Sequence, residues 1–105
     1  MHFLITAYDG RDAEAPARRQ AARAQHLEGA KKLHSEGKLL YAAAILDADQ
    51  NMIGSVMIVD FASKETLAAE WLDREPYVTG NVWQKIDIKP CAIPPFILGA
   101  SIISQ

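Results

Sequence analysis

The sequence predicts an α+β fold whose elements run β-α-β-β-α-β. Three observations carry that reading. Short apolar runs closed by turn residues recur at 2–9, 39–46 and 52–62, with the length and bounds of strands. A tract rich in Ala, Arg, Gln, Lys and Glu fills positions 16–36, and these are strong helix formers. A second helical pattern at 64–73 leads into an alternating stretch at 82–89, the mark of a strand covered on one face.

Each element has its own local signals. The first strand, HFLITAYD, is closed by Asp9-Gly10. Pro16 suits the first turn of the helix that follows, and Gly37 suits its stop. LLYAAAIL (39–46) is too short and too tightly bounded for another long helix, so it is predicted as a strand. DADQN (47–51) is the turn to MIGSVMIVDFA (52–62), rich in β-branched residues. Ser63 caps the second helix, Glu65 is favoured in its first turn, and Leu67, Ala68, Trp71 and Leu72 form its apolar stripe. In the last strand Val82, Ile86 and Ile88 point one way, while Trp83, Lys85, Asp87 and Lys89 point the other.

The order is the split βαβ or ferredoxin-like arrangement, an antiparallel sheet with both helices on one face. Its other face is left open, and the strand at 52–62 is apolar on both sides. A second copy of the chain is the expected cover, joined through the sheets. At 105 residues the chain is expected to form one domain, with a core at 1–91 and a C-terminal arm at 92–105. In that arm Pro94-Pro95 bars a continuing central strand. The FILGASII that follows is apolar and β-prone, which predicts an extra strand or arm packed mainly on a neighbouring subunit.

Composition excludes several function classes. A formal net charge of −2 leaves no basic footprint for nucleic acid. The single cysteine, Cys91, allows no internal disulfide, and no Cys/His cluster or HxH spacing suggests a metal site. No apolar run approaches the roughly 20 residues of a membrane helix, and the N-terminus lacks the basic and apolar regions of a signal peptide. The expected setting is the cytoplasm.

Two places carry chemistry. On a helical wheel Ala22, His26, Ala30, Leu33 and Gly37 fall within about 40° of one line, so His26 sits in the inward stripe. A buried imidazole needs partners, either a backbone carbonyl or a carboxylate. An acid on Nδ1–H would fix the tautomer and free Nε2 as base or acid. The candidate acids at element ends are Asp9, Asp47, Asp60, Asp73, Glu75 and Asp87. The second place is the corner WLDREPYV (71–78), where Pro76 forces Glu75 out of the helix. In this topology the loop after the second helix reaches the first helix, which makes Glu75 the best placed acid.

The stretches RAQHLEGAKKLHSEGKLL (23–40), VDFASKETLAAEW (59–71) and REPYVTGNVWQKIDIKP (74–90) resemble the YciI-like family over roughly residues 2–90. That family belongs to the dimeric α/β-barrel superfamily, so the resemblance implies a ferredoxin-like protomer forming such a barrel. It also implies a cleft with a His–Asp pair, the His on the first helix and the Asp in an Asp-Pro-Tyr corner. These positions fall on His26 and Glu75, with Glu in place of Asp. One branch of the family eliminates chloride from a chlorinated hydroxyhydroquinone with no cofactor. The resemblance therefore implies a cofactor-free lyase or isomerase acting on a small cyclic or aromatic metabolite. His26 would be the base and Glu75 its orienting acid; Arg23 could hold an anionic oxygen, and Tyr77 and Trp83 could line an apolar slot. The alternative is a non-catalytic dimeric module that binds a small ligand or a protein. If the family geometry holds, Glu75→Asp should keep or improve activity.

Overall fold

A computed structural model describes residues 1–98. It contains β1 (His2–Asp9), α1 (Ala15–Ser35), β2 (Leu39–Leu46), β3 (Met52–Asp60), α2 (Lys64–Glu70), a 3₁₀ turn (Leu72–Arg74), α3 (Pro76–Thr79) and β4 (Trp83–Cys91). The strands form one sheet in the order β2-β3-β1-β4, and every neighbouring pair is antiparallel. This is the predicted βαββαβ arrangement of a ferredoxin-like protomer.

Local chemistry explains the boundaries. Pro16 occupies the first turn of α1, where its missing N–H is no loss. At the other end the Gly37 N–H donates to His34 O and the Lys38 N–H to Leu33 O. These are the two bonds of a Schellman cap. That cap requires a left-handed residue, and Gly37 supplies φ 75°. The β2–β3 turn is tied by Asp47 Oδ1, which accepts the N–H groups of Asp49 (2.8 Å) and Asn51 (3.0 Å). Ser63 caps α2 by accepting the Thr66 N–H.

Burial alternates along β1. Phe3, Ile5 and Ala7 are buried, as are Met57 and Val59 of β3. They join Ala22 and Leu33 of α1, Leu67 of α2 and Tyr77 of α3 in one cluster. Tyr77, Ile5, Met57, Leu67, Val59 and Val82 are the largest fully buried side chains, each worth about 1.5–3 kcal/mol when removed from water. The opposite sheet face presents Leu4, Thr6, Ala43, Ile45, Val56 and Ile58 half-buried, with Tyr41 56% exposed. That is the open face anticipated from the apolar strand at 52–62. Among the described residues no helix is long and apolar enough to cross a membrane.

Three features depart from the sequence reading. The helix predicted over 64–73 ends at Glu70 and tightens into the 3₁₀ turn. Trp83 does not share a face with Lys85: the ladder pairs Tyr8 with Lys85 but Asp9 with Trp83. One extra residue, Gln84, thus forms a bulge that turns the indole inward. In the arm, residues 95–98 form a helical turn rather than a strand, begun by the Ile97 N–H donating to Pro94 O. Pro95 favours this, because its fixed φ suits a first helical position. The rest of the predicted arm strand, 99–105, and its packing on a neighbour lie outside the described residues.

Candidate functional site

The Pro76 corner is the N-terminus of a helix. Glu75 has φ −63° and ψ 128°, the extended conformation that a following proline imposes. From there its side chain turns back over α3, and Oε1 accepts the Tyr77 N–H at 3.1 Å. Glu75 is therefore the N-cap of α3, and the capping fixes where its carboxylate lies.

The same oxygen meets His26. Nδ1 of His26 is 2.5 Å from Glu75 Oε1, and the side chains are only 11% and 2% exposed. An ionised carboxylate can only accept, so the imidazole donates from Nδ1. Nε2 has no hydrogen-bond partner among the described residues, yet it is not among the buried unpartnered atoms, so it retains contact with solvent. This is the tautomer in which Nε2 can take a proton.

Two aromatic rings hold the imidazole. Tyr77 stacks on it with centroids 3.8 Å apart and planes 11° apart. Trp83 meets it edge-on at 5.8 Å, an orientation made possible by the β4 bulge. Both rings are buried. Burial raises the pKa of the Tyr77 phenol, while the charges of Arg19 and Arg23 oppose that rise.

A second polar group, missed in the sequence, lies on the other side of Tyr77. Arg19 is 6% exposed. Its Nη1 donates to both oxygens of Asp9, at 2.9 and 3.0 Å, and its Nη2 donates to Ser55 Oγ at 3.1 Å. Trp83 Nε1 donates to the same Oγ. The guanidinium carbon lies 4.7 Å from the Tyr77 centroid, within cation–π range. Arg19 Nε is buried without a partner. A signal for Arg19 was present: it precedes His26 by seven residues, two helical turns, and so shares the inward stripe. Asp9 was weighed only as a partner for His26, whereas it serves Arg19.

A cleft of about 890 Å³ opens at the end of the sheet, where β1 meets the start of α1 and the β2–β3 turn. Arg19 and Arg23 line it, but His26, Glu75, Tyr77 and Trp83 do not. Arg23 stands one turn before His26 and is half-buried. The cleft thus lies beside the His–Glu pair rather than directly over it. A smaller hollow of about 480 Å³ touches Glu75 and Pro76 from the opposite side. Among the described residues no three His, Cys, Asp or Glu side chains cluster as a metal site would need.

These features define a class: a ferredoxin-like α+β protomer with a buried histidine–carboxylate pair between its first helix and the corner after its second. The chain belongs to the family of the YCII-related domain, whose model matches residues 1–92. It is 34% identical over 96 residues to Protein YciI of Escherichia coli, covering 86% of this chain and 95% of that protein. An uncharacterised Haemophilus influenzae protein is 32% identical over the same shares. Among solved structures, it resembles the 5-chloro-2-hydroxyhydroquinone dehydrochlorinase of Burkholderia phenoliruptrix in complex with 2,5-dihydroxybenzoquinone. That likeness has a TM-score of 0.75 at 21% identity, over 90% of this chain and 96% of the other. A Nitrosomonas europaea protein described as a putative antibiotic biosynthesis monooxygenase follows with a TM-score of 0.52 at 16% identity, over 89% and 100% of the two chains. At these identities the structural likeness is one of fold.

Proposed function

We propose that the protein is a small cofactor-free enzyme of lyase or isomerase type. It would use His26 and Glu75 as an acid–base pair on a small cyclic or aromatic metabolite, in the manner of a dehydrochlorinase. The single observation that carries this reading is the 2.5 Å contact between His26 Nδ1 and Glu75 Oε1 in a nearly closed site. The dehydrochlorinase of the same fold supports the substrate class.

In this reading Glu75 holds Nδ1–H and stabilises the imidazolium. His26 Nε2 removes a proton from the substrate, the electron pair moves through the ring system, and a leaving group departs with its bonding pair. Arg23 faces the anionic oxygen that develops. Tyr77 and Trp83 keep the imidazole plane fixed and dry. The proposed assembly is a homodimer or higher homo-oligomer closed over the open sheet face around Leu4, Val56 and Ile58. The proposed setting is the cytoplasm, where Cys91 would stay a free thiol.

The test is chloride release from halogenated hydroxyhydroquinones, compared between wild type and His26→Ala, with circular dichroism to verify the fold of each. Loss of turnover by about 10²-fold or more is expected for the variant. A folded His26→Ala protein that works at the wild-type rate overturns the catalytic role. A second reading, a non-catalytic dimeric module for a small ligand or a protein, is favoured by one observation: the cleft does not include His26. Saturable binding with no chemical change in any bound compound would select it.

A further inference from the structure

The 890 Å³ cleft has an uneven charge inventory. Its carboxylates are all committed. Asp9 accepts from Arg19, Asp12 accepts from Arg18 at 2.7 and 2.9 Å, and Asp47 is occupied by the N–H groups of its own turn. The pKa of Asp12 is lowered to about 2, chiefly by the Arg18 hydrogen bonds, so it stays ionised and paired with Arg18. Its cations are not all committed. Neither Arg11 nor Arg23, both lining the cleft, appears in any hydrogen bond or ion pair among the described residues.

One further feature favours a negative guest. Arg19, on the cleft wall, keeps a buried Nε–H with no acceptor. An orphan donor of this kind costs about 1–3 kcal/mol and calls for a partner. Tyr8, Met52 and Ile53 supply an apolar side to the same space, each 36–42% exposed. The volume lies in the range of small-molecule sites, about 300–1,000 Å³.

We infer that this cleft binds a small organic anion, an oxyanion carried on an apolar body, with Arg11 and Arg23 as its counter-charges. The oxyanion lies at the arginine end, and the body lies against Tyr8, Met52 and Ile53. Arg19 adds its charge from the wall while Asp9 holds it in place. The inference rests on the reading of this region as a small-molecule site and narrows that reading to one substrate class.

The test is a titration of the full chain followed by amide chemical shifts, with four probes: benzoate, 4-nitrophenolate at a pH where it is ionised, benzyl alcohol and benzamidinium. Benzoate or 4-nitrophenolate should bind saturably, and the tighter of the two identifies the oxyanion as carboxylate or phenolate. The neutral and cationic probes should bind at least about tenfold more weakly. Shifts should centre on the β2–β3 turn and the first two turns of α1. Arg11→Gln and Arg23→Gln should each weaken the anion about tenfold, with unchanged melting temperature. Equal binding of benzoate and benzyl alcohol by wild type overturns the inference, and so does unchanged affinity in the double variant. The assay needs no turnover. A protein that binds the anion yet transforms nothing therefore fails the catalytic reading alone, whereas one that releases chloride but ignores charge in the probes fails this inference alone.

Discussion

Replacing Glu75 by Asp, the acid that the family resemblance implies for this corner, is the sharpest probe of the site. On sequence alone the shorter acid should be accepted. The geometry points the other way. One oxygen of Glu75 serves both the Tyr77 N–H at 3.1 Å and His26 Nδ1 at 2.5 Å, while Pro76 and the helix behind it hold the backbone in place. Aspartate is among the best N-caps, so its carboxylate should remain on the Tyr77 N–H. Shortening the side chain by one C–C bond, about 1.5 Å, then takes it from His26 to roughly 4 Å, outside hydrogen-bond range. A buried Nδ1–H left without an acceptor costs about 1–3 kcal/mol. For a domain of this size that lowers the melting temperature by roughly 5–20 °C. Misplacing a catalytic group by about 1 Å also costs about 10²-fold in rate. Two assays need no substrate: a thermal melt, and the ¹H resonance of the His26 Nδ1 proton, which a short bond to a carboxylate shifts far downfield. Glu75→Gln, which keeps the reach and the cap, should lose less stability than Glu75→Asp. An Asp variant that melts with wild type and retains the downfield proton would refute the claim that this backbone is built for glutamate.

Two further outcomes follow from local geometry. The Asp12 carboxyl should titrate near the value of about 2 set chiefly by its hydrogen bonds to Arg18, and Arg18→Gln should return it toward the ordinary range, as read from carboxyl ¹³C shifts. Because the folded-state value is depressed, the stabilisation from this pair is complete above the ordinary carboxylate range near 3.8 and disappears as pH falls through about 2. Gly54→Ala should destabilise by about 1–3 kcal/mol in a denaturant melt, since an added Cβ would stand 2.5 Å from the Ala7 carbonyl oxygen; an alanine variant as stable as wild type would mean that the sheet gives way freely there.

The first three strands were legible as short apolar runs bounded by turn residues, as in HFLITAYD closed by Asp9-Gly10; the alternating burial of Phe3, Ile5 and Ala7 emerged only in the structure. The β2–β3 turn was legible through Asp47, and the ends of α1 through Pro16 and Gly37. What escaped detection depends on tertiary context. A bulge inserts one residue without altering composition, so nothing local revealed that Gln84 would turn Trp83 inward. α3 escaped because four residues are too few for a periodic pattern and glutamate is not a favoured cap, although Pro76 in a first helical position was a usable sign. Of the candidate site, His26 announced itself as a polar residue on an apolar stripe, and Glu75 entered through topology and resemblance. Arg19 lay on the same stripe and passed unremarked, because a long cationic side chain can reach water from most helix positions. Only the fold brings Asp9 and Ser55 to meet it.

The buried charges of this domain form one connected group. Glu75 holds His26, His26 stacks on Tyr77, Tyr77 lies under the Arg19 guanidinium, and Arg19 is held by Asp9. Stability alone gives a poor account of such an arrangement. Burying a charge costs several kcal/mol before its partner returns anything, and well-packed apolar residues of similar volume often serve a core equally well. A chain of 105 residues has little stability to spare. It nevertheless devotes part of its interior, next to its deepest packing at Tyr77 and Trp83, to two carboxylates, a guanidinium and an imidazole. Each carboxylate is fixed by a cap or a double contact, and the Nε2 of the imidazole is left open to solvent. Such restraint is what the proposed proton transfer needs: a base whose orientation is settled before substrate arrives.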